Sequence, residues 1–178
     1  MFALAKKYRK QKGGIGGAGE TMIDLTTNLI IVSIMGGIAF GVYKWATATS
    51  EWNALNGLVS SVRRTYQGET YPATGIAAAL ITNQDIGSLR STGGTAILNT
   101  YGQDYTIAGA GGSFTISDPG VLQADCNKIL KQIPSTGYLS VTVNGGTAIT
   151  TFPITVAEAQ GACNVATNAG NTILVEAQ

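Results

Sequence analysis

GETMIDLTTNLIIVSIMGGIAFGVYKW, residues 19–45, joins a glycine, a short polar step and a long apolar run. From Met22 to Trp45 there are 24 residues. As a helix rising about 1.5 Å per residue they span roughly 36 Å, enough to cross a hydrocarbon core of about 30 Å. Asp24, Asn28 and Lys44 alone interrupt the apolar character, and Asp24 and Lys44 lie near its two ends. The run is apolar on all faces, which suits a membrane better than the surface of a small domain. Gly36, Gly37 and Gly41 each weaken an isolated helix by about 1 kcal/mol relative to Ala. Gly37 and Gly41 form a small-xxx-small pair that admits a close neighbouring helix. For Gly36-Gly37 two readings stand: a packing groove, or a place where the helix melts locally.

Upstream, residues 1–19 contain no acid and carry Lys6, Lys7, Arg9, Lys10 and Lys12. A secretory signal peptide has the reverse order, its apolar segment preceding the cleavage site. Here the candidate cut, after Gly19, comes first, so the apolar helix would stay in the mature protein. The basic cluster fits the positive-inside rule, holding the N-terminus in the cytoplasm while the rest is exported. Without it, six basic and ten acidic side chains remain, a balance of −4. No basic patch is left for nucleic acid. Gly14-Ile15-Gly16-Gly17-Ala18-Gly19 satisfies G-x-G-x-x-G, but the residues before it are Lys/Arg-rich rather than a strand of a βαβ unit, so dinucleotide binding is not expected.

Downstream of Trp45 the pattern turns amphipathic. Leu55, Leu58, Val59, Val62 and Tyr66 form one helical stripe, with Glu51, Asn53, Asn56, Ser60, Arg63 and Arg64 on the other faces. The helix should stop near Gly68, with a turn around Pro72. Residues 75–82 predict a short helix and residues 85–90 another turn. Segments 95–99, 104–108 and 113–117 read as a glycine-punctuated β-meander. Residues 119–133 turn helical, with Val121, Leu122, Cys126, Ile129, Leu130 and Ile133 on one side. Segments 137–144 and 147–152 flank Gly145-Gly146 as a hairpin. Thr155-x-x-Glu158 is a capping-box pattern opening a helix through Cys163. Residues 172–176 close the chain as a strand. The expected class is α+β: a long N-terminal helix, apolar in its first half and amphipathic in its second, packed on an antiparallel sheet.

The chain has no histidine. That excludes a Ser-His-Asp or Cys-His arrangement, and no nucleophile–base set stands out among Ser, Asp and Glu, so no enzyme and no cofactor are expected. Cys126 and Cys163 are the only cysteines. In an exported domain a disulfide is the economical reading, and two buried free thiols are the alternative. Two cysteines without histidine supply too few ligands for a metal site.

The stretch Gly19-Glu20-Thr21-Met22-Ile23-Asp24-Leu25 resembles the prepilin peptidase site of type IV pilins, where a glycine precedes the cut and an acid stands at the fifth mature position before a long apolar helix. The long leader resembles the type IVb branch, with conjugative thin-pilus and bundle-forming pilins as the comparison. Ala157-Glu158-Ala159, Ala162-Cys163 and the final strand are similar to the C-terminal region of those pilins, with Cys126 as the partner of Cys163. Family members usually carry Glu where this chain has Asp24, and a small or apolar residue where it has Glu20. A cut after Gly17 is the alternative register; the position of Asp24 favours Gly19.

The resemblance implies a type IV pilin fold in three parts: a cleaved leader (1–19), an apolar transmembrane and filament-core helix (20–46), and a globular head (47–178). It implies processing between Gly19 and Glu20 by prepilin peptidase, N-methylation, and Asp24 as the assembly residue. The partners would be further copies of the chain, the inner membrane before assembly and the assembly machinery in it. The function implied is the major subunit of an extracellular type IVb pilus serving adhesion, aggregation or conjugative DNA transfer. A minor pilin or pseudopilin, and a monomeric membrane-anchored extracytoplasmic binding protein, are the alternatives.

Overall fold

Alternating burial along the strands builds the sheet. A computed structural model describes residues 50–166 and 170–178. All lie within one compact unit, Tyr43–Gln178. The described chain opens in helix α1, residues 50–65. Helix α2 (Ile76–Thr82) follows, then strands β1 (Arg90–Thr92), β2 (Ala96–Leu98), β3 (Asp104–Gly109) and β4 (Phe114–Val121). Helix α3 (Gln123–Gln132), β5 (Tyr138–Val143), α4 (Val156–Ala162) and β6 (Asn171–Ala177) complete the order. Six strands pair antiparallel throughout in the order β1-β2-β3-β4-β6-β5. The architecture is therefore α+β with an antiparallel sheet.

The period-two rule sorts the sheet into two faces. Ile107, Ile116, Val175 and Val141 stand in one row across β3, β4, β6 and β5, and all are buried. The neighbouring register places Thr106, Ser117, Leu174 and Thr142 in a row on the opposite face. Against the inner face packs α1, which buries Leu55, Leu58, Val59 and Val62, the predicted stripe. Burying each such side chain contributes roughly 1.5–3 kcal/mol. Cross-links to β5 set the helix position: Tyr138 donates its hydroxyl to Asn56 Oδ1 at 3.0 Å, and Trp52 lies 6.1 Å from the Tyr138 ring. Arg63 stacks over that ring and donates to the Gly137 carbonyl and, at 2.7 Å, to the Gln178 carbonyl.

Four differences from the sequence reading have physical causes. β4 runs on through Pro119-Gly120, where residues 119–133 had predicted helix. The register against β6 slips between Asp118 and Val121. Such a bulge tolerates a proline without an N–H, and Gly120 takes φ 78°. Residues 147–152 form no strand; only Ile149 pairs, by two hydrogen bonds to Val141 of 2.9 and 2.8 Å. The turn before them is tight but is centred on Asn144-Gly145 rather than on Gly145-Gly146, with Asn144 at φ 54°, Gly145 at φ 67° and Gly146 N–H donating to the Val143 carbonyl at 2.9 Å. Pairing Val141 with Ile149 rather than with residue 148 adds one unpaired residue, and the ladder ends there. Arg90, the last residue of the turn read over 85–90, opens the short edge strand β1 (Arg90–Thr92), which the sequence reading did not anticipate. Finally, Glu51 is fully buried rather than on an outer face.

Candidate functional site

Gly19, Glu20, Asp24, Gly36, Gly37 and Gly41 lie outside the described residues, as do the expected leader (1–19) and the expected apolar helix (20–46). What the structure does place are the cysteines and a set of buried polar groups that hold the head together. Among the described residues no helix is long and apolar enough to cross a membrane, and no group of three or more acids and cysteines could hold a metal ion.

Cys126 on α3 and Cys163 at the end of α4 are bonded, their Cα atoms 5.9 Å apart and both side chains buried. α4 is placed for this by its cap. The Glu158 N–H donates to the Thr155 hydroxyl at 3.3 Å, while the Thr155 N–H donates to the Glu158 carboxylate at 2.9 Å. The Thr155 hydroxyl and backbone hold the Glu158 carboxyl below its ordinary value. Gln123 Nε2 adds a 2.9 Å bond to the Cys163 carbonyl. Closing a loop with a separation of 37 residues removes unfolded-state entropy worth about 4 kcal/mol on the chain model.

Asn171, fully buried at the start of β6, ties three segments together. Its amide donates to the carbonyls of Val121 and Val165 at 3.2 and 3.1 Å. Its oxygen accepts from the Val165 N–H at 3.1 Å and Asn144 Nδ2 at 2.8 Å. All four hydrogen-bonding positions of the side chain are used.

The largest departure from sequence expectation is acidic. Glu51, Asp118 and Asp125 are all buried, at 0, 0 and 1% exposure. They come from α1, β4 and α3 and converge on the loop that joins β2 to β3. Glu51 accepts from the Thr100 N–H at 2.8 Å and from the hydroxyls of Thr100 and Tyr105. Asp118 Oδ1 accepts from Asn99 Nδ2 at 2.7 Å. Asp125 accepts from the Tyr101 hydroxyl at 3.1 Å and lies 3.5 Å from the Lys128 ammonium. Asn99 also shapes the loop, its oxygen accepting from the N–H groups of Tyr101 and Gln103 at 3.0 and 2.8 Å. Burial and then the charge of Glu51 push the Asp118 carboxyl up to about 8, against the smaller pull of Asn99. Burial, then the charges of Asp118 and Glu51, raise the Tyr105 phenol well above its ordinary value. One signal in the sequence pointed here: Glu51 precedes Leu55, Leu58 and Val62 by 4, 7 and 11 positions, the spacing of the core stripe itself.

This arrangement of a helix laid on an antiparallel sheet, closed by a C-terminal disulfide, is the type IV pilin fold. A type IVb pilin from Salmonella typhi superposes with a TM-score of 0.58 at 19% identity, over 73% of this chain and 96% of that one. TcpA, a type IV pilin from the Vibrio cholerae El Tor biotype, superposes with a TM-score of 0.52 at 16% identity, over 75% and 99%. The family model described as PilS N terminal matches residues 46–177, and the chain belongs to that family. No curated protein matches it.

Proposed function

We propose that this chain is the major structural subunit of a type IVb pilus. It is made as an inner-membrane precursor, cut after Gly19 by prepilin peptidase, and polymerised through its N-terminal helix into an extracellular filament. The observation that carries the reading is the five-residue step from Gly19 to Asp24 at the head of the apolar run, found in a chain with a pilin head. Neither half is sufficient alone.

Assembly follows from electrostatics. A carboxylate in the apolar part of a membrane helix costs roughly 2.5–3.5 kcal/mol at the bilayer centre and less towards its edge. Asp24 of an incoming subunit relieves that cost by pairing with the free α-amino group at Glu20 of its neighbour. Cleavage creates this amine, so processing precedes assembly. The inner-membrane machinery supplies the subunits, the apolar helices with Gly36, Gly37 and Gly41 make the filament core, and the heads coat it. The subunit needs no catalytic group for this role.

Asp24→Ala is the test. The variant should be processed normally, accumulate in the inner membrane and give few or no filaments by shearing and electron microscopy. Abundant wild-type-like filaments from Asp24→Ala would overturn the pairing. A chain that stays uncut and still works would instead mark a monomeric membrane-anchored binding protein.

A further inference from the structure

The carboxyl groups of Glu51 and Asp118 pose a charge problem that the fold must solve. Both are fully buried. Two ionised carboxylates side by side in an interior are too costly to coexist, because each loses its hydration and gains a like-charged neighbour. Among the described residues, the elements packed around them bring no compensating cation. α1 contributes Glu51, β3 contributes Tyr105, β4 contributes Asp118 and the β2–β3 loop contributes Asn99, Thr100 and Tyr101. α3 contributes Asp125 and Lys128, whose ammonium sits beside Asp125. Glu51 has donors on both oxygens, from Tyr105 and Thr100. Asp118 has a donor only on Oδ1, and its Oδ2 is buried without a partner among the described residues. The two carboxyls are held by adjacent residues of one loop, Asp118 by Asn99 and Glu51 by Thr100, and Asp118 feels Glu51 both as a charge and as a side-chain hydrogen-bond partner.

We propose that Glu51 and Asp118 form a buried proton-binding site in which Asp118 carries the proton and donates it to Glu51, clasping the start of the described helix to the sheet. One proton completes both groups. It turns the unpartnered oxygen into a donor, and it leaves a single negative charge that three donors from Tyr105 and Thr100 already solvate. Loss of the proton sets two carboxylates against each other at the contact between α1 and β4, so the clasp opens in alkaline solution.

The pH dependence has a definite sign. Below about pH 4 the Asp118 carboxyl is protonated in both the folded and unfolded chain. At higher pH the folded state keeps a proton that the unfolded state has released, so stability falls as pH rises, until the folded group itself ionises near 8. With no histidine in the chain, no side chain of ordinary acidity competes in the upper part of that window, between about pH 6 and 8.

The direct test is a carbon-13 titration of the side-chain carboxyl groups in the full-length chain in detergent, with Asp118→Asn used to assign the signal. The expected result is one carboxyl of the pair ionising near 8. Ordinary titration of both groups below about 5 would overturn the site. Thermal melting gives the second reading. The wild-type midpoint should drop between pH 5 and pH 8, while Asp118→Asn, whose amide donates to Glu51 at every pH, should hold its midpoint. Equal slopes in the two proteins would contradict the proposal. The wild-type titration decides it even if the variant folds poorly.

Discussion

Gly170 sits where the last loop meets β4, and it has no room for a side chain. Its φ is +68°, and an added Cβ would lie 2.4 Å from the Gly120 carbonyl carbon. Gly145 has a similar φ of +67° with nothing within 4 Å. The pair separates backbone strain from collision. Gly145→Ala should cost about 1 kcal/mol, the ordinary penalty of the left-handed region. Gly170→Ala should cost at least about twice that, because backbone must move. Urea unfolding of the two variants checks the ranking, and equal midpoints would refute the close approach. Glu51 illustrates the opposite limit of legibility. Its helical register was visible in sequence, but its partners Thr100, Tyr105 and Asp118 lie 49 to 67 positions away. A polar residue on a core stripe reads as an outer-face residue until those distant donors are in place.

At the level of elements, local signals carried far. The stripe of α1, helix α2, the capping box of α4 and strands β2, β3 and β5 follow from spacing and caps, because each depends on neighbours within a few positions. β4 beyond Asp118 did not, since only pairing with β6 keeps Pro119-Gly120 in the sheet. The same limit hid the sheet order: β6 inserts between β4 and β5, a long-range choice with no local mark. The α3–α4 bond is the element-scale feature most open to experiment. Cys126→Ser should lower the stability of the head by up to about 4 kcal/mol under oxidising conditions. Reductant should bring the wild type to the protease sensitivity of the variant. Equal protease resistance of the wild type with and without reductant would show that the bond contributes little.

For the whole molecule, head and leader answer different questions. The head establishes the pilin fold and the family, and its interior explains how a glycine-rich, weakly charged chain holds together: an apolar core, a disulfide, and buried polar side chains that tie helices, strands and loops to one another. Residues 19–24 carry the proposed processing and assembly step, a short contiguous motif that is legible in sequence without any long-range contact. The central claim joins the two: a chain cut at one place and then built into a surface filament. The intact mass of protein sheared from the cell surface tests it most directly. The expected result is a filament fraction whose subunit begins at Glu20 and lacks the two hydrogens lost to the Cys126–Cys163 bond. Full-length uncut protein, a cut elsewhere such as after Gly17, or absence of the chain from the sheared fraction would contradict it.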